Sequence, residues 1–100
     1  MRRKSYYVYI MTNKNHNVLY TGVTGDLEIR VLQHAQGAGS KFAKRYGISK
    51  LVYFEEYIRI DEAFYREKLV QGWSRKKKIA LIEGNYIDLP KLAKKVFRKK

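Results

Sequence analysis

The sequence predicts a single α+β domain in which a small three-stranded antiparallel sheet is flanked by helices, in the order ββαβαα. Three observations lead there. Two aromatic and β-branched runs, Tyr6–Met11 and Val18–Val23, flank the polar turn Asn13-Lys14-Asn15-His16-Asn17, which is the pattern of a hairpin. Downstream, helical periodicity is interrupted by one further alternating run. A length of 100 residues leaves room for one modest core and little for a second folding unit.

Met1–Ser5 is a basic entry to the first strand. Within that strand Tyr7 and Tyr9 share one face and Val8 and Ile10 the other, so the tyrosines are expected on a cleft and the aliphatics in the core. Across the hairpin, Leu19 and Thr21 face one way and Tyr20 and Gly22 the other, which brings Tyr20 to the side of Tyr9. Gly22, at the strand end, leaves room for a backbone to approach and also suits a turn or bulge. Thr24 or Asp26 can cap the helix that follows. On that helix Leu27, Val31 and Ala35 form an apolar stripe, and Arg30 and His34 lie together along its border.

Gly37 and Gly39 end this helix and open a loop. Ser40–Tyr46 then interleaves Lys41, Lys44 and Arg45 with Phe42 and Tyr46. This composition suits a grip on a phosphate backbone with stacking on a base, and equally a short solvated helix whose two rings pack at i,i+4. Leu51–Tyr57 reads as the third strand, with Val52, Phe54 and Glu56 on one face and Leu51, Tyr53, Glu55 and Tyr57 on the other. Glu55 and Glu56 therefore point apart and form no two-carboxylate site; salt bridges to the basic surface are expected of them.

Asp61-Glu62 opens the next helix at the positive end of its dipole. On it Ala63, Glu67 and Val70 share one sector, which sets Glu67 among core-facing residues. A carboxylate there requires a cation such as Arg66 or another basic side chain, or a hard metal ion. Trp73 closes the helix as a packing anchor. Ser74 caps a last helix carrying Ile79, Leu81 and Ile82 and stopped by Gly84. Arg75, Lys76 and Lys77 on this helix read as a solvated face or as backbone contacts to a polyanion. Asn85 follows the glycine as a turn residue. The core is drawn over residues 6–86, with 87–100 as a basic C-terminal extension.

Lys plus Arg number 22 against 9 acidic residues, a formal charge of +13 that favours a polyanionic partner and salt-dependent binding. Nine tyrosines among 14 aromatics add stacking and polar contacts. The chain has no cysteine, which excludes disulfides, thiolate catalysis and thiolate metal sites. It shows neither a long apolar run nor a secretory leader, so a cytoplasmic protein without a membrane partner is expected.

The ordered set Tyr7-Val8-Tyr9, Tyr20-Thr21-Gly22, Arg30-x-x-x-His34, a helical Glu67 and a later Asn85 resembles the GIY-YIG nuclease domain in its small single-domain form. Tyr7 stands where the family name has Gly, Thr21 where it has Ile, and Val23 where some members carry a Lys. The resemblance implies a divalent-metal-dependent endonuclease that hydrolyses phosphodiester bonds in DNA ahead of RNA, structure-selective and acting in repair or recombination. It further implies that Glu67 holds a single Mg²⁺ or Mn²⁺, that Arg30 neutralises phosphate charge, and that Tyr9 or Tyr20 positions or deprotonates water with help from His34. Gly22 and Asn85 would support the site, and Lys41, Lys44, Arg45, Arg75, Lys76 and Lys77 would hold nucleic acid. A noncatalytic nucleic-acid-binding module on the same fold is the alternative. A protein-interaction module with incidental basicity is a third class, distinguished by weak salt dependence.

Overall fold

The computed structural model describes residues 4–37 and 40–84. Their order is β1 (Tyr6–Asn13), β2 (Leu19–Thr24), α1 (Leu27–Ala35), α2 (Lys41–Tyr46), β3 (Ile48–Tyr57), α3 (Ile60–Gln71) and α4 (Arg75–Glu83). The α+β class and the three-stranded antiparallel sheet are as expected, with one helix more than the ββαβαα order. That helix is Lys41–Tyr46, where Ser40 caps the Ala43 amide at 3.1 Å and the left-handed Gly47 stops the turn. Asn85 and the 87–100 extension lie outside the described residues.

β1 is the central strand, in the order β2-β1-β3, and is antiparallel to both neighbours. It is therefore covered on both faces. Ile10 joins Tyr53 of β3, Val70 of α3 and Leu81 of α4 in one apolar cluster, with Leu19, Val52 and Trp73 packed against it. Tyr9 and Met11 join Ala43 of α2 and Ile48 of β3 in a second, against which Tyr20, Leu27, Val31 and Leu51 pack. The expectation that the tyrosine face of β1 opens on a cleft is thus corrected for Tyr9, which is wholly buried, because α1 and α2 lie over that face. Leu27 and Val31 do face the core, whereas Ala35, at the helix end, is exposed.

The face assignments along β3 also change at one point. Ile10 pairs with Tyr53 but Met11 pairs with Leu51, so Val52 is an extra residue in the ladder. This bulge shifts the alternation by one. Leu51 consequently packs with the Tyr9 cluster and Val52 with the Ile10 cluster, the reverse of their strict alternation. From Tyr53 onward the expected phase holds.

Glu55, on the Tyr53 face, is the most heavily hydrogen-bonded side chain among the described residues. Arg66 of α3 donates from Nε to Oε1 at 2.9 Å and from the terminal nitrogen to Oε2 at 2.8 Å; the Tyr57 and Tyr53 hydroxyls add one bond to each oxygen. Burial pushes the Glu55 carboxyl up, but the guanidinium and the two phenols outweigh it and hold it below the ordinary carboxylate range. Burial also drives the Tyr53 and Tyr57 phenols upward, so both remain donors. Trp73 stacks under the same guanidinium at 5.1 Å. Arg66 is therefore the partner of Glu55 and not of Glu67, and the salt bridge of Glu55 is internal rather than with the basic surface.

Breaking a fully buried, hydrogen-bonded ion pair from one side leaves a bare charge in the core, a loss of about 3–5 kcal/mol. Arg66→Met is expected to lower unfolding free energy by that order in urea titration, while Glu55→Gln combined with Arg66→Met is expected to cost less than Arg66→Met alone.

Candidate active site

The hairpin and α1 bring four side chains to one point. Tyr9 and Gly22 are direct cross-strand partners. The Tyr9 ring folds over Gly22 so closely that a Cβ there would sit 2.6 Å from both Cζ and the hydroxyl oxygen. The space expected beside Gly22 for an approaching backbone is therefore occupied by the Tyr9 phenol. Two residues back along β2, Tyr20 lies on the same face, its ring centroid 6.2 Å from that of Tyr9.

α1 follows β2 after a tight connection. Thr24 Oγ1 accepts from the Asp26 amide at 3.1 Å, and the Asp26 side chain then caps the Ile29 amide. The helix so started turns His34 inward, 3% exposed, with Nε2 3.3 Å from the Tyr9 hydroxyl. The imidazole also meets the Tyr20 ring edge-on at 5.2 Å. Arg30, one turn earlier, acts electrostatically on both Tyr9 and His34.

These surroundings set the protonation states. Burial pushes the Tyr9 phenol up to about 12, and the neighbouring Tyr20 adds to this, against a partial offset from the charge and hydrogen bonding of Arg30. Burial and then the Arg30 charge hold His34 below the ordinary imidazole range. At neutral pH the pair is a neutral phenol beside a neutral imidazole. The His34 Nδ1 is buried without a partner among the described residues, so no second hydrogen bond fixes which ring nitrogen carries the proton.

A chain of rings leads from this point to the surface. Tyr20 contacts Phe42 of α2 at 5.8 Å, Phe42 contacts Tyr46 at 4.8 Å, and the Arg45 guanidinium lies 5.6 Å over the Tyr46 ring. Phe42 and Tyr46 do pack at i,i+4, yet both stay more than 40% exposed, beside exposed Lys41 and Lys44. The two uses proposed for this stretch are thus compatible.

Glu67 is half-buried on α3, whose Val70 packs on the opposite sheet face, and its Oε2 accepts from the Gln71 amide. The same amide nitrogen reaches the Thr21 carbonyl of β2 at 3.4 Å, which sets the pair against that edge strand. No cluster of three or more His, Cys, Asp or Glu able to enclose a metal occurs among the described residues. A lone carboxylate fits an ion such as Mg²⁺, which keeps several waters and completes its shell with substrate phosphate. Arg75 is turned away from this region: it donates to the His16 and Asn17 carbonyls at 2.7 and 3.3 Å and so fastens the hairpin turn. Lys77 lies over the Trp73 ring at 4.9 Å, and Lys76 is exposed on α4.

Sequence reasoning missed Gln71 and the Glu55 cluster. The i,i+4 spacing of Glu67 and Gln71 was the available signal for the first. For the second it was the run Tyr53-x-Glu55-x-Tyr57, which puts two phenols and a carboxylate on one strand face.

The family model of the GIY-YIG catalytic domain matches residues 5–80. A UPF0213 protein of Clostridium perfringens is 41% identical over 81 residues, which span 81% of this chain and 86% of the relative. A UPF0213 protein of Haloquadratum walsbyi is 37% identical over 86 residues, 85% of this chain and 96% of the relative. The solution NMR structure of a UPF0213 protein from Bacillus halodurans has a TM-score of 0.51 at 32% identity, covering 90% of this chain and 93% of that one. No helix among the described residues is long and apolar enough to cross a membrane.

Two outcomes test the packing of the site. Gly22→Ala should destabilise the domain by about 1–3 kcal/mol through overpacking, and the loss should shrink in a Tyr9→Ala background, as read from a double-mutant cycle in urea. Because His34 is depressed in the folded state, the unfolded chain binds the extra proton, so its contribution to stability is complete above about pH 6.5 and is lost as pH falls below that value. Unfolding free energy between pH 7.5 and 5 should fall less in His34→Gln than in wild type.

Proposed function

Since the chain belongs to the GIY-YIG catalytic domain family, whose members are nucleases, we propose that it is a divalent-metal-dependent endonuclease hydrolysing phosphodiester bonds in DNA. The observation that carries this reading is the convergence of Tyr20, Tyr9, Arg30 and His34 on one point with His34 uncharged. A neutral imidazole behind two phenols is a proton acceptor connected to the surface.

The labour divides by exposure. Tyr20 is half-buried and faces the attacking water. Tyr9 has no exposure and a phenol near 12, which makes it a poor base by itself but a link between its neighbours, with its hydroxyl 3.3 Å from His34 Nε2 and its ring beside that of Tyr20. The water oxygen attacks phosphorus, its proton enters this chain of hydroxyls towards His34, and the bond to the leaving oxygen breaks with a solvent proton completing the alcohol. Arg30 is the permanent cation at the site and neutralises charge that builds on the phosphoryl oxygens.

Glu67 would hold one Mg²⁺ or Mn²⁺ at the β2 edge, where such an ion, when bound, polarises the phosphate and neutralises part of its charge. Lys41, Lys44 and Arg45 grip the flanking backbone, with Phe42 and Tyr46 between them for stacking. Arg75 and Lys77 have less to give a ligand, since the one is engaged with the hairpin turn and the other with Trp73. Lys76 supplies a peripheral contact. The cellular setting we propose is cytoplasmic DNA repair or recombination. A noncatalytic DNA-binding module is favoured by one observation, the burial of both Tyr9 and His34, which a retired site would keep as core.

Labelled duplex, branched and single-stranded DNA incubated with Mg²⁺ or Mn²⁺ decides between them. Cleavage should require metal, fall about 10²–10³-fold in Arg30→Ala and disappear in Glu67→Gln, with DNA binding retained in the latter. Absence of cleavage on all substrates and with both metals, alongside salt-sensitive binding, would select the binding module.

A further inference from the structure

Glu55 is wholly buried and Glu67 half-buried, and the two are bonded differently. Glu55 receives four hydrogen bonds, two at each oxygen, and is saturated. Glu67 receives one, at Oε2, from the Gln71 amide; Oε1 has no protein donor among the described residues. Because Glu67 is only half-buried, Oε1 needs no protein partner and is accessible to a ligand.

The Gln71 amide does more than complete a helical i,i+4 pair. Its nitrogen also meets the Thr21 carbonyl, 50 positions away, so one NH₂ group spans from the last residue of α3 to the edge strand. The two contacts use both amide hydrogens and fix which end of the side chain carries nitrogen. Thr21 stands between Tyr20 and Gly22, the two β2 residues of the proton-relay site, and its buried hydroxyl has no partner among the described residues. The joint between α3 and β2 is therefore built but unsaturated, unlike the closed Glu55–Arg66 network.

We propose that Gln71 is the positioning residue of the Glu67 carboxylate, holding Oε2 against β2 so that Oε1 alone is presented to a single divalent ion. The proposal rests on the reading of Glu67 as the metal-holding group. An amide suits the task because it orients the carboxylate without neutralising it, whereas a Lys or Arg at this position would compete with the cation for the same charge. Withdrawing one oxygen also disfavours the bidentate clasp typical of Ca²⁺ and suits a small octahedral ion that keeps its waters.

The test is Mn²⁺ binding to the full-length protein, followed by electron paramagnetic resonance of the free aquo ion, with thermal unfolding of the metal-free protein recorded in parallel. Wild type is compared with Glu67→Gln, Gln71→Met, which keeps length and removes the amide, and Gln71→Ala. The expected result is one Mn²⁺ bound by wild type and lost in Glu67→Gln, with affinity weakened about 10–100-fold in both Gln71 variants and metal-free Tm nearly unchanged. Unaltered Mn²⁺ affinity in the Gln71 variants, whether or not their Tm falls, would overturn the positioning role while leaving the Glu67 reading intact. Failure of wild type to bind Mn²⁺ in a Glu67-dependent manner would overturn both.

Discussion

The burial of β1 on both faces is the constraint from which the rest of the domain follows. Every side chain from Val8 to Thr12 is inside, so each face of one strand must find its own helical cover. α3 and α4 supply it on the Ile10 side, and α1 and α2 on the Tyr9 side. A tyrosine on such a strand cannot leave its hydroxyl bare without a cost of about 1–3 kcal/mol. His34 meets that hydroxyl from α1, and Gly22 meets the ring from β2 by having no side chain at all. Packing and chemistry are then the same arrangement: what satisfies the core also places an imidazole behind a phenol.

The two sheet faces solve the problem of buried polarity differently. On the α3 face, Glu55 is fully compensated by Arg66 and two phenols, and the cluster fixes helix to strand without an open valence. On the α1 face, Tyr9 and His34 are both neutral at pH 7, and one imidazole nitrogen stays unpartnered among the described residues. Saturation rigidifies, whereas an unpartnered buried nitrogen carries a desolvation cost. Glu67, on α3 and linked to β2 through Gln71, is half-buried and receives one bond among the described residues.

Much of this was legible in the sequence, and the parts that were not have identifiable causes. The hairpin, the inward border of α1 with Arg30 and His34, and the capping roles of Asp26 and Ser74 follow from periodicity and turn chemistry alone. The side of the sheet to which Tyr20 turns was readable because no bulge interrupts the β1–β2 ladder. Across β1–β3 a bulge does, and one extra residue at Val52 reversed the faces of Leu51 and Val52. The depth of Tyr9 was invisible because alternation tells which face a residue takes but not whether a helix covers that face. Of the partners open to Glu67, Arg66 is excluded for a related reason: it is adjacent in sequence, but successive helical residues point about 100° apart, and Arg66 turns to the Glu55 face.

The basic charge of the chain can now be apportioned among the described residues. Arg66 is spent on Glu55, Arg59 pairs with Asp61, and Arg75 is tied to the carbonyls of the hairpin turn. Lys41, Lys44 and Arg45 have no acidic partner and lie on the short helix that carries the exposed end of the ring chain. The chain of rings thus runs from a neutral, water-poor interior to a cationic surface. Half-buried Tyr20 is the ring that joins the two, meeting His34 on one side and Phe42 on the other. In the nuclease reading proposed above, the exposed helix would draw a polyanion by long-range charge, and the neutral His34 would have a lone pair free to accept a proton.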